Sequence, residues 1–182
     1  MDLPGGPPFT PWAKAIYERR RKDDLRGSPS ERCLPSGLPG DMLIPTLPFK
    51  IVQTASVTVV LLEEFNNWRQ IFSDGRALPV EPQPAWFGYS VATWEGDSFV
   101  VTTSGFNDQT WLDVGGTPHS ERLRLTERYH RIDFGHMQID YTIDDETAFT
   151  KPFSVSVGFV LQADTDLLDF QCENERYVSS RR

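Results

Sequence analysis

The sequence predicts an all-β domain of antiparallel strands preceded by a single helix. Three observations carry that expectation. From Phe49 onward the chain reads as short β-branched and aromatic runs separated by turn residues. Nine of the fourteen prolines fall within the first 48 residues, so the front of the chain differs in kind from the rest. Near the N-terminus, Thr10-Pro11-Trp12 opens a helix signal, with Thr10 as N-cap and proline at the first helical position.

These signals divide the chain into a proline-rich arm, residues 1–48, with a helix over about 11–26, and a β-barrel domain, residues 49–182. The arm carries seven basic and six acidic side chains, whereas the body carries eleven and twenty. The body therefore carries a net charge of -9 and the arm +1, which together make the chain's -8. Such a balance argues against a nucleic-acid partner, whose phosphates require a basic surface. No run of 18 apolar residues occurs, so no helical membrane span is expected. The basic run Arg19-Arg20-Arg21-Lys22 is flanked by Glu18, Asp23 and Asp24 and reads as a solvated helix end.

Nine strands are expected in order. Phe49–Thr54, Val57–Glu63 and Trp68–Phe72 come first, and a loop marked by Pro79, Pro82 and Pro84 follows. Trp86–Trp94 and Ser98–Ser104 flank Glu95-Gly96-Asp97, a tight hairpin in which glycine supplies positive φ. Glu121–Arg131 and His136–Ile143 form a second hairpin around Asp133-Phe134-Gly135. Phe153–Leu161 alternates apolar with small residues, and Leu167–Cys172 is the last expected strand. An up-and-down, lipocalin-like barrel of eight or nine strands would bury one face and hide the edges, with a β-sandwich or jelly roll as the alternative. A barrel of that size is filled by side chains or leaves room for one small ligand.

The densest polar stretch links two of these strands: Thr103 to Asp108, Thr110 to Asp113, then Pro118-His119-Ser120-Glu121. Loops at barrel mouths commonly carry ligand contacts, which makes Asn107, Asp108 and Trp111 candidate binding residues. The same residues also fit turns: Asn107 and Asp108 an Asx turn, Asp113 a cap for Gly115-Gly116. In the following strand, Glu121, Leu123, Leu125, Glu127 and Tyr129 share one face, and the leucines mark it as buried. A buried carboxylate must be paired or protonated, so Glu127 and Glu121 are either a proton-transfer set or half of an internal Glu–Arg pair. His119 has the pKa of a general base, with Asp113 or Glu121 to orient it. His119 and Glu121 also share a face at ligand spacing, a two-residue match to a cupin-like metal site in which Glu121 replaces the second histidine and the downstream motif is absent. Trp68, Trp86, Trp94 and Trp111, with Phe87 and Tyr89, supply flat apolar surface, most of it expected in the core and the rest lining a pocket with Tyr129. Cys33 and Cys172 are either two unrelated buried thiols or one disulfide between the arm and the last strand.

The run Thr103–Asp108 (TSGFND), Thr110–Asp113 (TWLD), Pro118–Glu121 (PHSE), Thr126–Arg128 (TER) and Asp133–His136 (DFGH) resembles a family of small bacterial β proteins without an assigned activity. The resemblance spans roughly residues 30–175. Members of that family are usually exported, so the resemblance implies a removed leader, a periplasmic or secreted location and a Cys33–Cys172 disulfide. Residues 1–6 show neither a basic n-region nor an apolar h-region, so the sequence itself does not carry that leader.

Two function classes follow. One is a cofactor-independent acid–base enzyme (lyase, isomerase, cyclase or hydrolase) on a hydrophobic substrate. There His119 would be the base, Asp113 or Glu121 its orienter and Glu127 a second acid, with Asn107 and Trp111 positioning the substrate. The other is a non-catalytic, lipocalin-like carrier of a small hydrophobic molecule. A metal-dependent, cupin-like enzyme through His119 and Glu121 stands third.

Overall fold

Period-two alternation organises the body of the chain, because each strand must turn one face to a core and the other to water. The computed structural model describes residue 3 and residues 5–172. Eight strands form one sheet: β1 (Phe49–Gln53), β2 (Val57–Leu62), β3 (Asn67–Phe72), β4 (Tyr89–Glu95), β5 (Ser98–Ser104), β6 (Arg124–Arg131), β7 (His136–Asp144) and β8 (Phe153–Val160). They lie side by side in chain order, and the sheet curls into a half-barrel. The hairpin between β4 and β5 turns at Gly96, whose φ of +63° is the conformation expected for it.

The β architecture matches the expected class, with four differences. First, β3 and β4 run parallel, pairing Ile71 with Ser90 and Phe72 with Val91. The proline-marked segment 73–88 is long enough to carry the chain back to the same end of the sheet, which a tight hairpin cannot do. Second, Leu167–Cys172 is not a strand. Its groups go elsewhere: the Leu168 amide donates to Glu63 Oε2 at 2.8 Å, and Asn66 Nδ2 donates to Asp169 at 2.9 Å. Third, the two sheet edges, β1 and β8, share no hydrogen-bonded ladder among the described residues. Phe49 and Phe159 instead meet edge to face at 5.2 Å, and the segment after β8 runs past β1, where Asp166 pairs with Lys50 at 3.7 Å. Fourth, β6 starts at Arg124 rather than Glu121, because the Leu123 amide turns back to the Ser120 carbonyl.

The helix, α1, spans Pro11–Lys22. Thr10 caps it as expected, its Oγ1 accepting from the Ala13 amide at 3.3 Å while donating to the Thr147 carbonyl at 2.8 Å. It ends before Arg26 because Asp24 and Leu25 take positive φ, and the amides of Asp23, Asp24 and Leu25 satisfy the carbonyls of Arg19, Arg21 and Arg20.

The arm fills the concave side of the half-barrel. Ala13, Leu38 and Met42 are buried in one cluster with Val60, Ile71, Val101, Leu125, Ile139 and Tyr141. Burying a leucine such as Leu38 stabilises the fold by about 1.5–3 kcal/mol, so the arm contributes materially to the core of the sheet. It seats closely on the polar loop: Gly37, at φ +86°, has no room for a Cβ, which would lie 2.4 Å from the Thr110 Cβ. A disulfide joins Cys33 to Cys172 with the Cα atoms 5.6 Å apart, tying arm to C-terminal segment across 139 residues. No helix of the described residues is long and apolar enough to cross a membrane.

Candidate functional site: an arginine-lined cleft beside the polar loop

The inward face of β6 is the one the leucines marked. Leu125, Glu127 and Tyr129 are buried and Arg124 and Arg131 exposed. Glu127 is fully buried, and its partner is Arg69 on β3, itself 3% exposed. Arg69 Nη1 donates to Glu127 Oε1 at 3.0 Å, and Nη2 lies 2.8 Å from Oε2. Nη2 also donates to Ser90 and Thr103 hydroxyls at 2.8 and 3.1 Å, and the Tyr129 hydroxyl donates to Glu127 Oε1 at 2.9 Å. Burial together with the Glu127 charge pushes the Tyr129 hydroxyl well above its ordinary range, so it stays protonated as a donor. Of the two readings of Glu127, the geometry is that of the internal Glu–Arg pair. Glu121, expected on the same face, is exposed, because the turn at Ser120–Leu123 removes it from the alternation. It borders a separate groove of about 580 Å³ with Glu81, Arg122, Arg124, Asp144 and Glu146.

His119 is buried and both ring nitrogens are engaged. Its Nδ1 lies 3.0 Å from the Ser120 carbonyl, which can only accept, so Nδ1 carries the proton. Nε2 then accepts from the Thr110 hydroxyl at 2.7 Å. Burial lowers the imidazole pKa below its ordinary value, so the ring is neutral. His119 and Glu127 thus belong to separate hydrogen-bond networks, and among the described residues no carboxylate bonds the imidazole. Asp113 takes the turn role, its Oδ1 accepting from the amides of Gly115 and Thr117, both at 3.1 Å. Asn107 does likewise, accepting from the Gln109 amide at 3.1 Å. Among the described residues no group of three metal-ligating side chains converges, so the His119/Glu121 spacing has no third ligand. Tyr89 lies apart, stacked on Phe72 at 5.3 Å and bonded through its hydroxyl to Arg76 at 3.1 Å. Trp68 and Trp94, expected mostly in the core, are each 57% exposed.

Three polar features escape a reading from the sequence. Arg69 is one. Asp145 is another: buried, it accepts from the Ser120 amide at 2.6 Å and from the Ser120 hydroxyl and Thr147 amide at 2.8 and 3.0 Å, holding the loop and the β7–β8 connection together. The third is a buried carboxyl pair, Asp41 and Glu64. Asp41 Oδ1 accepts from the Ser36 amide at 3.0 Å, and Glu64 Oε1 accepts from Ser30 at 2.5 Å. Burial and the neighbouring Glu64 carboxyl push Asp41 well above the ordinary carboxylate range.

The arm and the polar loop also enclose a cleft of about 330 Å³, lined by Arg19, Arg20, Asp23, Arg26, Gly27, Arg32, Asp108, Gln109 and Trp111. Two predicted ligand residues, Asp108 and Trp111, lie here, while Asn107 supports the same turn. Arg20 is fixed in place: its Nη1 donates to the Gly116 carbonyl at 3.0 Å and its guanidinium lies 4.5 Å from the centre of the Trp111 ring. Burial, Arg19 and Arg32 lower its pKa to about 10. No protein-family model, curated protein or solved structure matches the chain.

Proposed function

We propose that this chain is a small-molecule-binding protein of an extracytoplasmic compartment, which seats its ligand in the cleft between α1 and the Asn107–Trp111 loop. The observation that carries this reading is the convergence, in one open cleft, of arm guanidiniums with the loop's Asp108 and Trp111. A ligand in the barrel hollow would compete with Leu38 and Met42 for the concave face. Acid–base turnover is the weaker reading, because Arg69 and Tyr129 engage Glu127 and because Ser120 and Thr110 engage His119. The disulfide favours an oxidising compartment.

Native mass spectrometry of protein purified without denaturation tests the reading. The expected result is a small-molecule adduct that disappears when Arg26 and Arg32 are both replaced by Gln. An adduct that survives this change but is lost when Tyr129 is replaced by Phe would move the site to the barrel interior and overturn the proposal.

A further inference from the structure

The cleft contains four arginines in a chain whose overall charge is -8. The C-terminal end of α1 accounts for basic residues at Arg19 to Lys22, since cations favour that end of the helix dipole. It does not account for Arg26 and Arg32, which lie beyond the helix yet line the same cleft. Among the described residues no carboxylate lies within 4.0 Å of Arg19, Arg20, Arg26 or Arg32 to form an ion pair, although the body carries twenty acidic side chains. Asp23 and Asp108 also line the cleft, so its own charge is an excess of two positive. Gathering like charges around a partly buried guanidinium costs stability, and the Gly116 carbonyl and Trp111 ring that hold Arg20 do not neutralise that charge. A bound anion would, through charge-assisted, bidentate bonds that suit guanidinium geometry.

We propose that the cleft binds a small oxyanion carrying two or more negative charges, a phosphate ester or a polycarboxylate. Two charges match the net excess of the lining. Trp111 is the single apolar side chain in that lining and is itself largely buried, so the ligand is compact and polar rather than a large flat ring system. Arg20, held by Gly116 and Trp111, is the fixed donor, and Arg26 and Arg32 close on the anion from the arm. Asp23 and Asp108 set the negative limits of the site and disfavour anions that reach past the guanidiniums.

This inference rests on the cleft being the ligand site, and its test separates the two. Full-length protein with the disulfide intact is titrated by calorimetry with inorganic pyrophosphate and with citrate, against sodium chloride at equal ionic strength. Saturable one-to-one binding of one of the two is expected, weakened at least tenfold in the Arg26→Gln/Arg32→Gln protein. The Asp108→Asn variant is expected to bind two- to tenfold more tightly. Pyrophosphate binding without citrate binding assigns the ligand to phosphate chemistry, and the reverse assigns it to carboxylates. Should neither anion bind beyond the chloride control, the oxyanion inference is overturned. In that event a co-purified neutral molecule displaced by Gln109→Ala would leave the cleft standing as the site. If either anion binds with equal affinity to wild type and the double arginine variant, both the inference and the cleft are refuted.

Discussion

Replacing Glu127 by Gln removes the carboxylate bonded to Arg69 while keeping the side chain's shape. Arg69 would then be a buried cation with neutral acceptors alone, the new side-chain amide oxygen and the Ser90 and Thr103 hydroxyls. Removing one partner of a fully buried ion pair costs about 3–5 kcal/mol, because the other charge stays desolvated and uncompensated. For a domain of this size each kcal/mol lowers Tm by about 2–4 °C, so the change is expected to lower it by on the order of 6–20 °C. The same loss is expected for Arg69→Met, which strands the carboxylate instead. The double variant Glu127→Leu/Arg69→Met behaves differently, because Ser90 and Thr103 already bond each other at 2.9 Å and the Tyr129 hydroxyl lies 3.8 Å from Met42 sulfur. Its expected loss is under about 2 kcal/mol, since exchanging a whole buried pair for apolar groups is often close to neutral. Urea denaturation of the four proteins, followed by circular dichroism, closes the double-mutant cycle. A Glu127→Gln protein within about 1 kcal/mol of wild type, or a double variant as unstable as the sum of the singles, would refute the pair as a structural element.

The remaining predictions concern how the arm is held. Because Asp41 has a raised pKa in the fold, the folded chain keeps a proton that the unfolded chain releases near pH 4. That contribution is full below the unfolded value and is lost as pH rises through the folded one. Wild type should therefore lose stability as pH rises above the unfolded value of about 4, and Asp41→Asn, whose amide can donate to Glu64, should flatten that slope; equal slopes in urea denaturation would contradict the raised Asp41 pKa. Replacing Cys33 and Cys172 by Ser opens a loop of 139 residues and should cost about 5 kcal/mol in the chain-entropy model, read as a lower urea midpoint. Gly37→Ala should cost more than about 1–3 kcal/mol, the usual strain of a positive φ, because the new Cβ also collides with Thr110. The His119 ring signals in a nuclear magnetic resonance spectrum should shift with it, since Thr110 is its partner.

Much of this architecture is legible in single strands and little of it in the pairs between them. The alternation of Leu125, Glu127 and Tyr129 fixed the inner face of β6, and the demand that a buried carboxylate be paired followed from it. Its partner was not readable, because β3 offers two faces of opposite appeal: Trp68, Gln70 and Phe72 against Arg69 and Ile71. The aromatic face looks like core, yet the arginine face is the buried one, with Trp68 outside. Only the charge requirement of Glu127, 58 residues away, decides the parity, and that is a tertiary fact. The turn roles of Asn107 and Asp113 were local and therefore visible. The arginine cleft was not, because each arginine has an adequate local explanation, as a helix end or an exposed loop residue. Its meaning lies in the seating of Gly37 on Thr110, which brings the arm and loop together across some seventy residues.

Under the proposed function, ligand binds at the arm–loop cleft and the interior of the half-barrel is structural. The most direct measurement is a two-dimensional ¹H–¹⁵N spectrum recorded while the protein is titrated with pyrophosphate. The Trp111 indole signal and the Nε signals of Arg20, Arg26 and Arg32 are expected to move and saturate together, while the amides of Glu127, Tyr129 and Ile139 stay in place. Movement confined to those interior amides, with Trp111 and the arginines unchanged, would contradict the proposal.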